Sequence, residues 1–155
     1  MDSTNSIYPP EHYEYYPLDL DEGPMLLPKE HELVLNTGTG QATLVNWETR
    51  RFQAETRFDT DEVLIIKTLL DHWPCYTAYE ELYRLLVTDD LAEQIARCLA
   101  DARETDNRAL FDVALHPVRS LLHACQGRLA LFGLHLNAVY QRGYLLTRMP
   151  TGGNQ

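Results

Sequence analysis

Long apolar runs are missing from this 155-residue chain. None approaches the roughly 20 consecutive apolar residues that cross a bilayer as a helix, so no membrane partner is expected. The first residues also lack the basic-then-apolar order of a signal peptide. Cysteine is scarce: Cys75, Cys98 and Cys125 are scattered and odd in number, with no Cys-x-x-Cys or His/Cys spacing around them. The sequence therefore suggests neither a disulfide framework nor a zinc site, and no metal or other cofactor is expected. Reduced thiols packed as small apolar groups in a cytoplasmic protein are the expectation. Catalytic constellations are missing as well. The six histidines are dispersed, no Ser or Cys stands in a nucleophile motif, and the acids gather in helix caps and the N-terminal arm. An enzyme is not expected.

Basic charge is the next shortage, with 13 Lys and Arg against 23 Asp and Glu and a formal net charge of −10. Spread evenly, that balance would argue against a nucleic-acid partner. It is uneven. Residues 1–62 hold thirteen acids and four bases, whereas Val113 to Gln155 holds no Asp or Glu and carries Arg119, Arg128, Arg142 and Arg148. Such asymmetry can mark a polyanion-facing surface, which the acidic remainder would orient by repulsion.

Residues 1–30 are rich in Pro, acid and Tyr without a helix or strand period, and read as a disordered or loosely docked arm. Tyr8, Tyr13, Tyr15 and Tyr16 could anchor it in a partner's groove or cover the protein's own surface. A single domain is expected over 31–148, with a flexible tail at 149–155. HELVLN and QATLVNW flank Thr37-Gly38-Thr39-Gly40 and predict a hairpin. The Gly-Thr-Gly lacks the Lys-Ser/Thr of a phosphate loop, so turn chemistry is expected. RRFQAETRF predicts a third strand, with Phe52, Ala54, Thr56 and Phe58 alternating against Arg51, Gln53, Glu55 and Arg57.

At Asp59 the period changes. Asp59 with Glu62, Thr77 with Glu80, and Asp90 with Glu93 each have capping-box spacing ahead of a helical apolar pattern. Glu104 to Arg108 reads as a polar link. In HPVRSLLHACQGRLALFGL, Pro117 suits a first helical position. Val118, Leu122, Cys125 and Leu129 form one stripe, while Arg119, His123 and Gln126 share a neighbouring polar face. Gly133 suits a left-handed cap, and LNAVYQRGYLL, 136–146, reads as a closing hairpin.

This order, and the residues themselves, resemble the DNA-binding output domain of OmpR-like response regulators. FDTDEVLIIKTLLDHW resembles that family's first helix and YTAYEELYRLL its second. VRSLLHACQGRLALFGLHLNAVYQRGYLL aligns without gaps on its recognition helix and Val-x-Gly-x-Gly-Tyr-x-Leu wing. The resemblance spans about Glu32 to Leu146. It implies an α+β winged helix-turn-helix fold: an N-terminal antiparallel sheet, three core helices plus one inserted helix at about 89–104, and a C-terminal hairpin wing. The chain departs from the family in four ways. Ala124, Gln126 and Gly127 stand where the family is basic, and Gln141 replaces the first wing glycine. The inserted helix takes the place of a short loop implicated in contacting RNA polymerase. No phosphoacceptor receiver domain is expected ahead of the module.

What the resemblance implies is a transcriptional regulator bound to double-stranded DNA. Its helix at about 117–131 would lie in the major groove, and its wing at about 136–147 would touch backbone or minor groove. Base contacts then fall on Arg119, His123 and Gln126, phosphate contacts on Arg128 and Arg142, and the wing tip on Tyr140 and Gln141. Four arginines give weak monomeric binding, which calls for a homodimer, a protein partner or DNA deformation. The alternative is a winged-helix protein–protein module, whose acidic arm and inserted helix bind RNA polymerase or another transcription or replication component, or imitate DNA.

Overall fold

The computed structural model describes residues 12–20 and 23–149. The expectations for Tyr8 and for most of the C-terminal tail lie outside them. Four strands pair antiparallel in chain order: β1 (Tyr13–Tyr16), β2 (His31–Asn36), β3 (Gln41–Asn46) and β4 (Arg51–Arg57). Two asparagines close the turns. Asn36 Oδ1 accepts from the N–H groups of Gly38 and Thr39 at 2.9 and 3.2 Å, and Asn46 Oδ1 accepts from those of Glu48 and Thr49 at 3.0 and 3.2 Å. These short side chains do the work of a backbone turn acceptor. Thr37 to Gly40 is therefore turn, as expected. Gly40 is needed there, because its φ is +82° and a Cβ would come within 2.1 Å of the Phe58 carbonyl oxygen.

Two expectations for this region are corrected. The arm is not unstructured throughout. Tyr13–Tyr16 pair with β2 as an edge strand, and Leu18, Leu26 and Leu27 are buried. Burial of those leucines and the β2 hydrogen bonds offset the ordering entropy that composition alone could not. The alternation along β4 also breaks. Leu44 pairs with Ala54 but Val45 pairs with Phe52, so Gln53 is an extra residue in the ladder. Such a bulge reverses the faces beyond it. Phe52 thus leaves the inner face, where Leu33, Leu35, Ala42 and Leu44 join the core, and stands 74% exposed on the outer one.

Helix α1 (Thr60–His72) starts as the spacing predicts, the Glu62 carboxylate accepting from the Asp59 N–H at 2.8 Å. The second expected box is not formed. Thr77 belongs to a two-residue strand, β5 (Thr77–Ala78), and Ala78 precedes α2 (Tyr79–Leu86) with no side-chain cap. Glu80 is drawn off to Arg103 instead. The third cap is Thr88, two residues before the one expected, with its side chain accepting from Leu91 N–H at 3.4 Å ahead of α3 (Asp89–Thr105).

The polar link shrinks to Asp106 and Asn107. Helix α4 runs Arg108–Ala130, begins nine residues before Pro117, and is capped by the Asn107 side chain, which accepts from Leu110 N–H at 3.1 Å. Phe111 and Leu115 extend the apolar stripe of Val118, Leu122, Cys125 and Leu129 backwards by two turns, and their burial carries the helix through the proline. A proline removes one N–H, here the one that would reach the carbonyl of Val113. Val113 is 73% exposed, so water can serve that oxygen. At the next residue, the Tyr83 hydroxyl donates to the Ala114 carbonyl.

After Gly133, at φ +76°, come β6 (Leu134–Val139) and β7 (Gly143–Arg148), and β5 adds to β7 to give the order β5-β7-β6. Gly143 permits that junction, since a Cβ there would lie 1.8 Å from the Thr77 carbonyl oxygen. The whole is mixed α+β, and among the described residues no helix is long and apolar enough to cross a membrane.

Candidate nucleic-acid interface

The inward stripe of α4 leaves His116, Arg119, Ser120 and His123 on its exposed side. The β6–β7 hairpin follows directly and packs beside that face. Between them lies a groove of about 440 Å³ lined by His116, Arg119, Ser120, His123, Gln126 and Tyr144, floored by Leu122 and Leu136. No carboxylate lines it, in a chain with 23 of them.

The expected site residues divide in two. Arg119, His123, Tyr140 and Arg142 are exposed. Arg119 Nη1 donates to Asp112 Oδ1 at 3.0 Å, an open ion pair along the same helix. Burial lowers its guanidinium pKa, but the Asp112 hydrogen bond and charge more than offset that, and the net shift is upward. The Tyr140 ring centre lies 5.9 Å from the Arg108 guanidinium, a cation–π arrangement.

Gln126, Arg128 and Gln141 are each engaged by another part of the chain. Gln126 Nε2 contacts His135 Nδ1 at 2.8 Å while its Oε1 accepts from Leu136 N–H at 3.1 Å, stitching α4 to β6. Arg128 lies in ionic contact with Glu62, itself only 3% exposed, and 5.2 Å from the Phe58 ring centre. The neighbouring Cys125 thiol is pushed up to about 12, by burial first and then by the Glu62 charge. Gln141 takes φ +59°, a left-handed conformation that glycine adopts at no steric cost. Its Nε2 donates to Asp106 Oδ1 at 3.1 Å.

Sequence reasoning missed the residue that ties these parts together. Arg103, near the end of α3, gives Glu80 two hydrogen bonds at 2.5 and 3.2 Å and donates from Nε to the Gln141 carbonyl at 2.6 Å. Its guanidinium also lies 5.7 Å from the Phe111 ring centre. Burial would raise the Glu80 carboxyl, but Arg103 outweighs burial and the net shift is downward. Helix α3 thereby anchors the hairpin turn. Nothing in the spacing of Glu80, Arg103 and Gln141 signals this, because the three meet only in three dimensions. His116, which the sequence reads as a helix-entry residue, stands inside α4 and with Ser120 shares the exposed face of Arg119 and His123.

The groove offers hydrogen-bond donors and aromatic edges. Among the described residues, no His/Cys/Asp/Glu group is placed to hold a metal ion. Comparison with family models, curated proteins and solved structures returned no match to this chain.

Proposed function

We propose that this chain is a winged helix-turn-helix module and a transcriptional regulator that binds duplex DNA through α4 and the β6–β7 hairpin. The observation that carries the reading is the carboxylate-free groove between those two elements in an otherwise acidic chain. Helix α4 enters the major groove with Arg119 and His123 toward base edges. Arg142 and Tyr140 meet the backbone or minor groove from the hairpin. Gln126 and Arg128 act indirectly, holding α4 against β6 and α1. The Arg119–Asp112 pair is no obstacle: exposed ion pairs contribute only about 0–1 kcal/mol, less than a good bidentate base contact at about 1–3 kcal/mol.

Fluorescence anisotropy on random duplex DNA tests this. With so few free arginines, the slope of log K against log salt is expected between about −2 and −4. Absence of binding even at ~20 mM salt, where the phosphate contribution is strongest, would falsify the reading. Unchanged binding in the Arg119→Ala/Arg142→Ala double variant would remove the site assignment while leaving DNA binding intact.

One observation favours the second reading, a winged-helix protein–protein module. Three of the seven expected contact residues are engaged internally, and exposed carboxylates Asp101, Glu104 and Asp106 stand on and just after the end of α3 that anchors the hairpin. Capture of RNA polymerase by the protein at salt that abolishes DNA binding is the result that would select it.

A further inference from the structure

The outer face of the N-terminal sheet carries a trough unconnected with the groove above. Its floor is Val34 and Thr43, one wall is Tyr13 and Tyr15 of β1, and the other is Trp47 and Phe52; it encloses about 300 Å³. Tyr15, Trp47 and Phe52 are 57%, 51% and 74% exposed. Full aromatic side chains present about 150–250 Å² each, so these three leave roughly 300–400 Å² of aromatic surface in water on one face. That is the size of the largest apolar patch on a typical monomer, and such patches are often functional.

The bulge at Gln53 is what creates this wall. Without it, Phe52 would share the inner face with Ala54. Gln53 is itself held, its Oε1 3.0 Å from His31 Nε2. Trp47 is fixed as well, its indole N–H donating to Glu32 at 2.9 Å. The Glu55 carboxylate accepts from Gln41 Nε2 at 2.8 Å. The charged groups bordering the trough are thus partnered, and its centre is apolar, the anatomy of an interface core inside a polar rim.

We infer that this face joins two copies of the chain in an isologous dimer, Phe52 of each copy entering the trough of the other. A two-fold contact needs one patch that carries both a protrusion and the recess that receives it. Phe52 and the Val34–Thr43 floor are that pair. The area argues for the same occupant. A stable interface buries about 800 Å² per partner, and the aromatic patch supplies close to half of that as its core, with polar strand residues around it completing the rest. Side-by-side pairing through the β4 edge is disfavoured, because a two-fold axis at its middle would set Arg51 opposite Arg57 of the second copy.

Sedimentation velocity of the full chain over ~1–100 μM, without DNA, is the test. The expected result is a monomer–dimer equilibrium that Phe52→Asp weakens at least about tenfold while the melting temperature stays within a degree or two. Thr43→Arg, which fills the floor from a different strand, should act in the same direction. A wild-type chain that stays monomeric throughout, or a Phe52→Asp variant that dimerises as well as wild type, overturns the inference. Neither outcome bears on DNA binding, which is read separately from the anisotropy of a single chain.

Discussion

Replacing Arg103 by Ala removes a half-buried charge from three acceptors at once. Side-chain exposures of 27% for Arg103 and 25% for Glu80 place the pair between surface and core. Exposed pairs contribute about 0–1 kcal/mol, whereas breaking a fully buried one costs about 3–5 kcal/mol because the remaining charge is stranded. The expected loss for Arg103→Ala is about 2–3 kcal/mol, part of it the unmet carbonyl of Gln141. For a chain of this length that corresponds to roughly 5–10 °C in melting temperature. The pH dependence follows from Glu80, whose carboxyl is held below its ordinary value. A depressed carboxyl stabilises fully above the unfolded value, near ~4.3, and this contribution fades as pH falls through the folded value. The penalty of Arg103→Ala should therefore be full at pH 7 and shrink below about pH 4. Urea denaturation at both pH values, combined with Glu80→Gln in a double-mutant cycle, measures it. Coupling of about 1–2 kcal/mol at pH 7 is expected. Hydrogen exchange at the Tyr140–Gly143 turn should rise in Arg103→Ala. Additive single variants at pH 7, or a turn that exchanges as in wild type, would refute the clamp.

Other substitutions probe separate parts of the same argument. Gly143→Ala forces a Cβ to within 1.8 Å of the Thr77 carbonyl oxygen and should cost about 1–3 kcal/mol or more, with loss of protection at the β5–β7 amides in hydrogen exchange. Gly127→Ala meets nothing within 4 Å inside α4, so it should stabilise the chain by about 1 kcal/mol in thermal melts, with DNA affinity unchanged. Arg128→Met leaves the buried Glu62 without its cation and should destabilise by about 3–5 kcal/mol. Its salt slope should match wild type when binding is measured below the melting transition. Asp112→Asn frees Arg119 and should tighten DNA binding up to about tenfold, equivalent to about 1.4 kcal/mol; weaker binding would count against Arg119 as a contact.

Local chemistry was legible in the sequence where it depends on near neighbours. The Asp59/Glu62 start of α1, the Gly-bearing turn after Asn36, the apolar stripe through Leu129 and the positive-φ Gly133 are each settled within a few residues. The exposed face carrying Arg119 and His123 follows from that stripe, because period 3.6 leaves the opposite side to water. The same reasoning failed at Thr77. Its spacing to Glu80 fits a cap, but a long-range strand pairing with Tyr144 claimed its backbone and Arg103 claimed Glu80. It failed at Pro117 too. The local preference of proline for a helix start yielded to the burial of Phe111 and Leu115, which precede it in the same helix.

What the sequence by itself determined is therefore composition, charge layout and most element identities, since these rest on residue chemistry and short-range periodicity. The tertiary structure alone decided which polar residues remain available. Gln126 and Arg128 flank the apolar stripe of α4 on opposite sides by periodicity, yet β6 and Glu62 engage them because distant segments arrive within hydrogen-bond or ionic reach. It also decided that Phe52 faces outward. One extra residue in the β3–β4 ladder reverses the side-chain face, and ladder register is a property of two strands that neither strand's sequence specifies alone.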